Sequence, residues 1–153
     1  MTQDANSAEI FVEGVIGASR SRVWQAFTDP ALLQQWYAPT GWTLDTSSTA
    51  VELKVGGAYR VSMHKESDPA IATSVLARFV DVIPEERLAS HETVFGASGL
   101  EPVEMTLTID LADAPGGTAV SIRQGPFPYG VDSLGRSGWV AALERLQALL
   151  ASA

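Results

Sequence analysis

The chain has 153 residues and no cysteine, which excludes disulfides, thiolate metal sites and cysteine nucleophiles and suits one domain. Ten Lys and Arg stand against eighteen Asp and Glu, a formal charge of −8. The basic residues are scattered (Arg20, Arg22, Lys54, Arg60, Arg78, Arg123), so no patch suited to nucleic acid or to an anionic membrane surface forms.

Residues 1–8 are polar and acidic, with neither a basic start nor an apolar core, and read as a flexible leader rather than a secretory signal. No apolar run approaches the ~20 residues that span a bilayer, and the expectation is a cytoplasmic protein. From residue 9 to 153 the pattern is that of a single domain. Ile10 to Ile16, rich in β-branched residues, reads as a strand. Ser19 or Ser21 caps a short helix through Phe27, with Val23, Trp24 and Phe27 as its apolar stripe. Asp29-Pro30 interrupts that helix and starts a second, capped by Asp29 and running to Trp36 with Leu32 and Leu33 at helical spacing.

Ala38-Pro39-Thr40-Gly41 is a turn, and Trp42 to Thr46 a short strand. Gly56-Gly57 marks a turn or bulge before the strand Tyr59 to His64. Ser67-Asp68-Pro69 is a hairpin loop before Thr73 to Ile83, and Pro84-Glu85-Glu86 turns the chain into Leu88 to Phe95. In Val103 to Leu111, five apolar residues alternate with Glu104, Thr106, Thr108 and Asp110, the signature of a half-buried antiparallel strand. Asp113 to Gly117 turns into Thr118 to Gln124, and Gly125 to Gly130 is a Pro/Gly loop carrying Phe127 and Tyr129. The last element is a helix over Asp132 to Ala151. Its stripe is Trp139, Leu143, Leu146 and Leu150, widened by Ala142 and Leu149.

This order predicts an α+β fold: short turns pair neighbouring strands antiparallel, and only the last helix is long enough to cover the sheet. A curved sheet and one straight helix leave volume between them, and the glycines Gly135 and Gly138 place two bare positions on the helix's first turns.

Five segments in order resemble the activator-of-heat-shock-protein-90-ATPase-like family of the START-like, or polyketide-cyclase/dehydrase-like, superfamily. They are Val23-Trp24-Gln25-Ala26-Phe27-Thr28-Asp29-Pro30, Gln35-Trp36-Tyr37-Ala38-Pro39, Glu52-Leu53-Lys54-Val55-Gly56-Gly57-Ala58-Tyr59-Arg60, Val82-Ile83-Pro84-Glu85-Glu86-Arg87-Leu88, and Gly138-Trp139 with Leu143 and Leu146. The resemblance covers about Ile10 to Leu150. It implies the helix-grip fold: a seven-stranded curved antiparallel sheet around the C-terminal helix, two short helices after the first strand, and a cavity. It also implies ligand binding, in a superfamily that includes lipid-transfer proteins, hormone receptors and aromatase/cyclases. Glu52 and Lys54 depart from the family's usual Asp and Arg while keeping the charge. Gly135 stands where many members carry a larger polar residue, so the cavity is expected to lose a polar group and gain room.

His64 and His91 are the only histidines, on different strands, so neither a metal site nor a cofactor is expected. Parity puts Glu92 with Leu88, Ser90 and Val94 on one face of its strand and His91 with Ala89, Thr93 and Phe95 on the other. Both faces stay open at this point, so Glu92 or His91 is the candidate acid or base. The candidate cavity wall is Trp36, Trp42, Tyr59, Met63, Phe79, Ser90, Glu92, Met105, Phe127, Gly135, Trp139 and Leu143, with Phe95 and Tyr129 as further aromatics and Arg60, Ser90 or Glu92 orienting the ligand.

The expected function is binding of a small hydrophobic or amphipathic molecule by a monomer or homodimer. The alternatives are a small enzyme of cyclase, dehydratase or hydrolase type in the same cavity, or a chaperone-cofactor-like protein interacting through Leu32, Leu33, Trp36 and Tyr37.

Overall fold

A computed structural model describes residues 7–96, 102–128 and 132–151. The first strand, β1 (Ser7–Ile16), begins inside the expected leader, because Ser7 and Ala8 pair with Pro128 and Phe127. Helix α1 (Arg20–Thr28) is capped by Ser19, whose Oγ accepts from the Arg22 amide at 3.3 Å. Asp29 closes α1 through its own N–H and opens α2 (Pro30–Trp36) by accepting from the Ala31 amide at 2.9 Å. One residue thus serves both helix ends, and Pro30 occupies the first turn, where its missing N–H costs nothing.

The expected strand over 42–46 is shorter, β2 (Trp42–Leu44), and a 3-10 turn over Thr46–Ser48 separates it from an additional two-residue strand, β3 (Ala50–Val51). Both pair with the same edge of β4 (Ala58–Lys65), β2 at Met63–Lys65 and β3 at Tyr59–Arg60, so together they form one broken edge strand. Gly56 has φ 81°, and a Cβ on Gly57 would lie 2.1 Å from the Glu52 carbonyl oxygen. The pair is therefore a turn that only glycine can make.

The hairpin to β5 (Asp68–Ile83) is tighter than the expected loop, so Asp68 and Pro69 belong to the strand. β6 (Arg87–Phe95), β7 (Val103–Ala114) and β8 (Gly117–Pro128) follow. β8 runs into the segment read as a loop, reaching Pro128, while the rest of that loop, Tyr129 and Gly130, lies outside the described residues.

The order across the sheet is β1-β8-β7-β6-β5-β4-β2, antiparallel throughout, a curled half-barrel of seven strand positions. Helix α3 (Asp132–Ala151) buries Trp139, Ala142, Leu143, Leu146 and Leu150. These join Ile10, Val12 and Ile16 of β1, Met105, Ile109 and Leu111 of β7, and Val120 and Ile122 of β8 in one core, with Val23, Phe27, Leu33 and Trp36 from the short helices. The alternation read in β7 thus points Met105, Ile109 and Leu111 inward. Among the described residues no helix is long and apolar enough to cross a membrane.

Candidate functional site

Register decides which face of β6 is inward. Glu92 lies opposite Met105 of β7 and Ala77 of β5, all three buried. Leu88, Ser90 and Glu92 therefore face the core, with Glu92 only 3% exposed. His91 points outward, its side chain 59% exposed and its Nε2 paired with Glu104 Oε1 at 3.1 Å. As a candidate acid or base inside the cavity, His91 is displaced by Glu92. His64 likewise stays out of the cavity, paired through Nδ1 with Asp45 Oδ1 at 2.9 Å.

A cavity of about 230 Å³ opens between the inner face of the sheet and the first turns of α3. Its walls are Met63, Thr73, Val75, Val94, Val103, Met105 and Phe127 from the sheet, Gly135, Gly138, Trp139, Ala142 and Arg145 from α3, and Tyr37, Pro39 and Gln124. Beyond Tyr37 and Trp139, which pack edge-to-face at 6.3 Å and border both spaces, lies a recess of about 20 Å³ lined by Tyr59, Phe79, Ser90 and Glu92 among others. That recess has room for one water-sized group.

A polar chain joins the two spaces. The Trp139 indole N–H donates to Gln124 Oε1 at 2.9 Å, and Gln124 Nε2 donates to Glu92 Oε1. Because an indole only donates, it fixes which way the Gln124 amide points, and the amide must then present its N–H to the carboxyl. Burial pushes Glu92 up to about 7, against the Gln124 hydrogen bond and the nearby His91, which hold it down. Burial, with the charge of Glu92, also pushes the Tyr37 and Tyr59 hydroxyls upward, so both stay protonated donors.

Of the expected wall, Met63, Met105, Phe127, Gly135 and Trp139 line the cavity, and Tyr59, Phe79, Ser90 and Glu92 line the recess. Three residues do not belong to it. Trp36 is fully buried behind Tyr37, its indole donating to the Ala26 carbonyl at 3.0 Å, and so holds α1 against α2. Trp42 sits half-buried on the broken edge strand opposite Lys65. Leu143 turns toward β1, where its Cδ1 packs over Gly14. Arg60, expected to orient a ligand, is on the exposed face of β4, and Phe95 is half-buried at the end of β6. Leu33 and Trp36 are core, so the apolar patch proposed for protein contacts is mostly interior.

Tyr37, Gln124 and Arg145 were missed. Gln124 carried a signal, since it shares strand parity with the inward Val120 and Ile122. Arg145 also carried one: it follows Gly138 and Ala142 at helical spacing, on the same side of α3.

Gly135 does not add room. A Cβ there would lie 2.6 Å from Phe127 Cζ, so the glycine is the seat of that ring. A Cβ on Gly138 would meet nothing within 4 Å. Gly138→Ala is therefore expected to stabilise the protein by up to ~1 kcal/mol through helix propensity. Gly135→Ala should destabilise it by roughly 1–3 kcal/mol, because Phe127 must move. Urea titrations of both variants check this, and equal, stabilising effects would show that Phe127 yields freely.

The family model described as "Activator of Hsp90 ATPase homolog 1-like protein" matches residues 17–151. Among solved structures, a Chromobacterium violaceum protein superposes with TM-score 0.82 at 29% identity, over 92% of this chain and 95% of that one. A Nitrosomonas europaea protein gives 0.77 at 23%, over 99% of each chain. The AHSA1 protein of Silicibacter pomeroyi gives 0.77 at 17%, over 94% of this chain and 98% of its own. No curated protein matches the chain.

Proposed function

The chain belongs to the Activator of Hsp90 ATPase homolog 1-like family, and from that premise we propose that it binds a small apolar or amphipathic molecule between the sheet and α3. The observation that carries this reading is the cavity itself: among the described residues its wall has apolar side chains from five strands and α3, with polar groups only at Tyr37, Thr73, Gln124 and Arg145. Few polar groups in an apolar wall fix orientation while the wall supplies affinity. Its 230 Å³ falls below the ~300–1,000 Å³ of drug-sized sites, which favours a compact ligand.

Native mass spectrometry of the purified protein tests this. The expected result is a small-molecule adduct that denaturation releases and that Met105→Trp, which fills the cavity, no longer carries. An apo mass, together with no shift in melting temperature across a panel of compact apolar acids, alcohols and amines, would overturn the reading.

A second reading, an enzyme, is favoured by one feature: a carboxyl pushed to about 7 beside two tyrosine hydroxyls is suited to proton transfer near neutral pH. Against it, Glu92 lines the recess rather than the larger cavity, and its hydrogen bond runs to Gln124, which stands between it and a substrate in the cavity. Turnover that vanishes in Glu92→Gln while ligand affinity survives would favour the enzyme.

A further inference from the structure

Among the described residues, Arg145 is the one charged residue in the wall of the cavity. Its Nε donates to the Trp36 carbonyl at 2.8 Å and its Nη2 to the Tyr37 carbonyl at 3.3 Å, tying α3 to the end of α2. These acceptors are neutral. Arg20, Arg87 and Arg123 each reach a carboxylate, whereas Arg145, like Arg22, Arg78 and Arg136, bonds only backbone carbonyls among the described residues, and of these four it alone lines the cavity. Its Nη1 has no hydrogen-bond partner there, and no polar side-chain atom of that set is both sealed from solvent and unbonded, so Nη1 is accessible, on a side chain that lines the cavity. Burial lowers the guanidinium from its ordinary value, the mark of desolvation that no anion offsets. Even so, it stays protonated.

A guanidinium has five N–H donors in a fixed fork, and two here are spent on fixing its position. What remains is a held cation with unused donors in the wall of an apolar space, the arrangement that a carboxylate completes. The net charge of −8 gives anions no general attraction to this protein, so any preference for an acid must be local.

We propose that Arg145 is the anion subsite of the cavity and that the ligand class is a compact apolar carboxylic acid, its carboxylate on Arg145 and its body along Val94, Met105, Phe127 and Trp139. This rests on the reading that the cavity binds a small molecule.

Calorimetric titration with matched pairs tests it: naphthalene-2-carboxylate against naphthalene-2-methanol, and decanoate against decan-1-ol. At pH 6 acids of pKa ~4–5 are largely ionised, while Glu92 mostly keeps its proton. In the wild type each acid is expected to bind about tenfold tighter than its alcohol or better, the scale of a charge-assisted hydrogen bond. In Arg145→Gln the ratio should fall to about one with the alcohol affinity kept, an outcome that a purely structural role for Arg145 would not give. Arg145→Lys, which keeps the charge without the fork, should retain part of the preference.

Acids and alcohols binding the wild type equally would overturn the anion subsite and leave the cavity reading standing, and so would a preference that survives Arg145→Gln. If no member of either pair binds, the cavity reading falls and the subsite with it.

Discussion

Replacing Trp139 by alanine is expected to cost about 3–5 kcal/mol of stability, the usual range for removing a buried aromatic, and to abolish ligand binding. Trp139 is the side chain on which core, cavity and polar chain meet. It is 9% exposed, packs edge-to-face on Tyr37, and donates to Gln124 at 2.9 Å. Its removal merges the recess with the cavity and leaves Gln124 Oε1 without its donor, so the amide that faces Glu92 is free to turn. The melting temperature should fall by roughly 10 °C or more for a chain of this size. Trp139→Phe keeps an aromatic ring there but loses part of the buried area and the indole N–H, so it should cost less, roughly 1–3 kcal/mol, and retain part of the binding. Thermal denaturation and ligand titration of both variants decide the point. A wild-type melting temperature in Trp139→Ala would mean that α3 does not lie across the sheet at this residue.

The elements that could be read in the sequence are those where local chemistry and tertiary packing ask for the same thing. β7 alternates because one face meets the core, and Asp29-Pro30 separates two helices because a cap and a missing N–H suit that place. What the sequence hid depends on partners far along the chain. Ala50–Val51 is too short to show a period, and it is a strand only because β4 offers a free edge. The inward face of β6 was undecidable locally, since its apolar ends, Leu88 and Phe95, have opposite parity; pairing with β7 settles it in favour of Glu92.

Trp36 looked like cavity wall because it is a large aromatic beside a turn, yet its N–H is committed to the Ala26 carbonyl and turns the ring into the core. Gly135 looked like empty space because nothing local announces that Phe127 folds over it. Three polar groups of the site, Tyr37, Gln124 and Arg145, come from separate parts of the chain, and their convergence is a property of the fold alone.

Glu92 should make the protein less stable as pH rises. Its folded value of about 7 lies above the ordinary 4.5, so the folded state holds a proton that the unfolded state has released between those two values. Stability therefore falls as pH climbs from about 4.5 through about 7 and levels off above, where both states are ionised and the folded one carries a buried charge. The difference corresponds to about 3 kcal/mol at ~1.4 kcal/mol per pH unit. Glu92→Gln keeps the shape and a carbonyl for the Gln124 amide but cannot ionise. It should match the wild type near pH 4.5 and exceed its stability at pH 8. Urea unfolding at intervals from pH 4.5 to 8 gives that difference directly. Parallel profiles would mean that Glu92 is already ionised at low pH, solvated in its recess rather than buried, and would remove the acid–base argument for this cavity while leaving the Arg145 subsite to be decided by its own titrations.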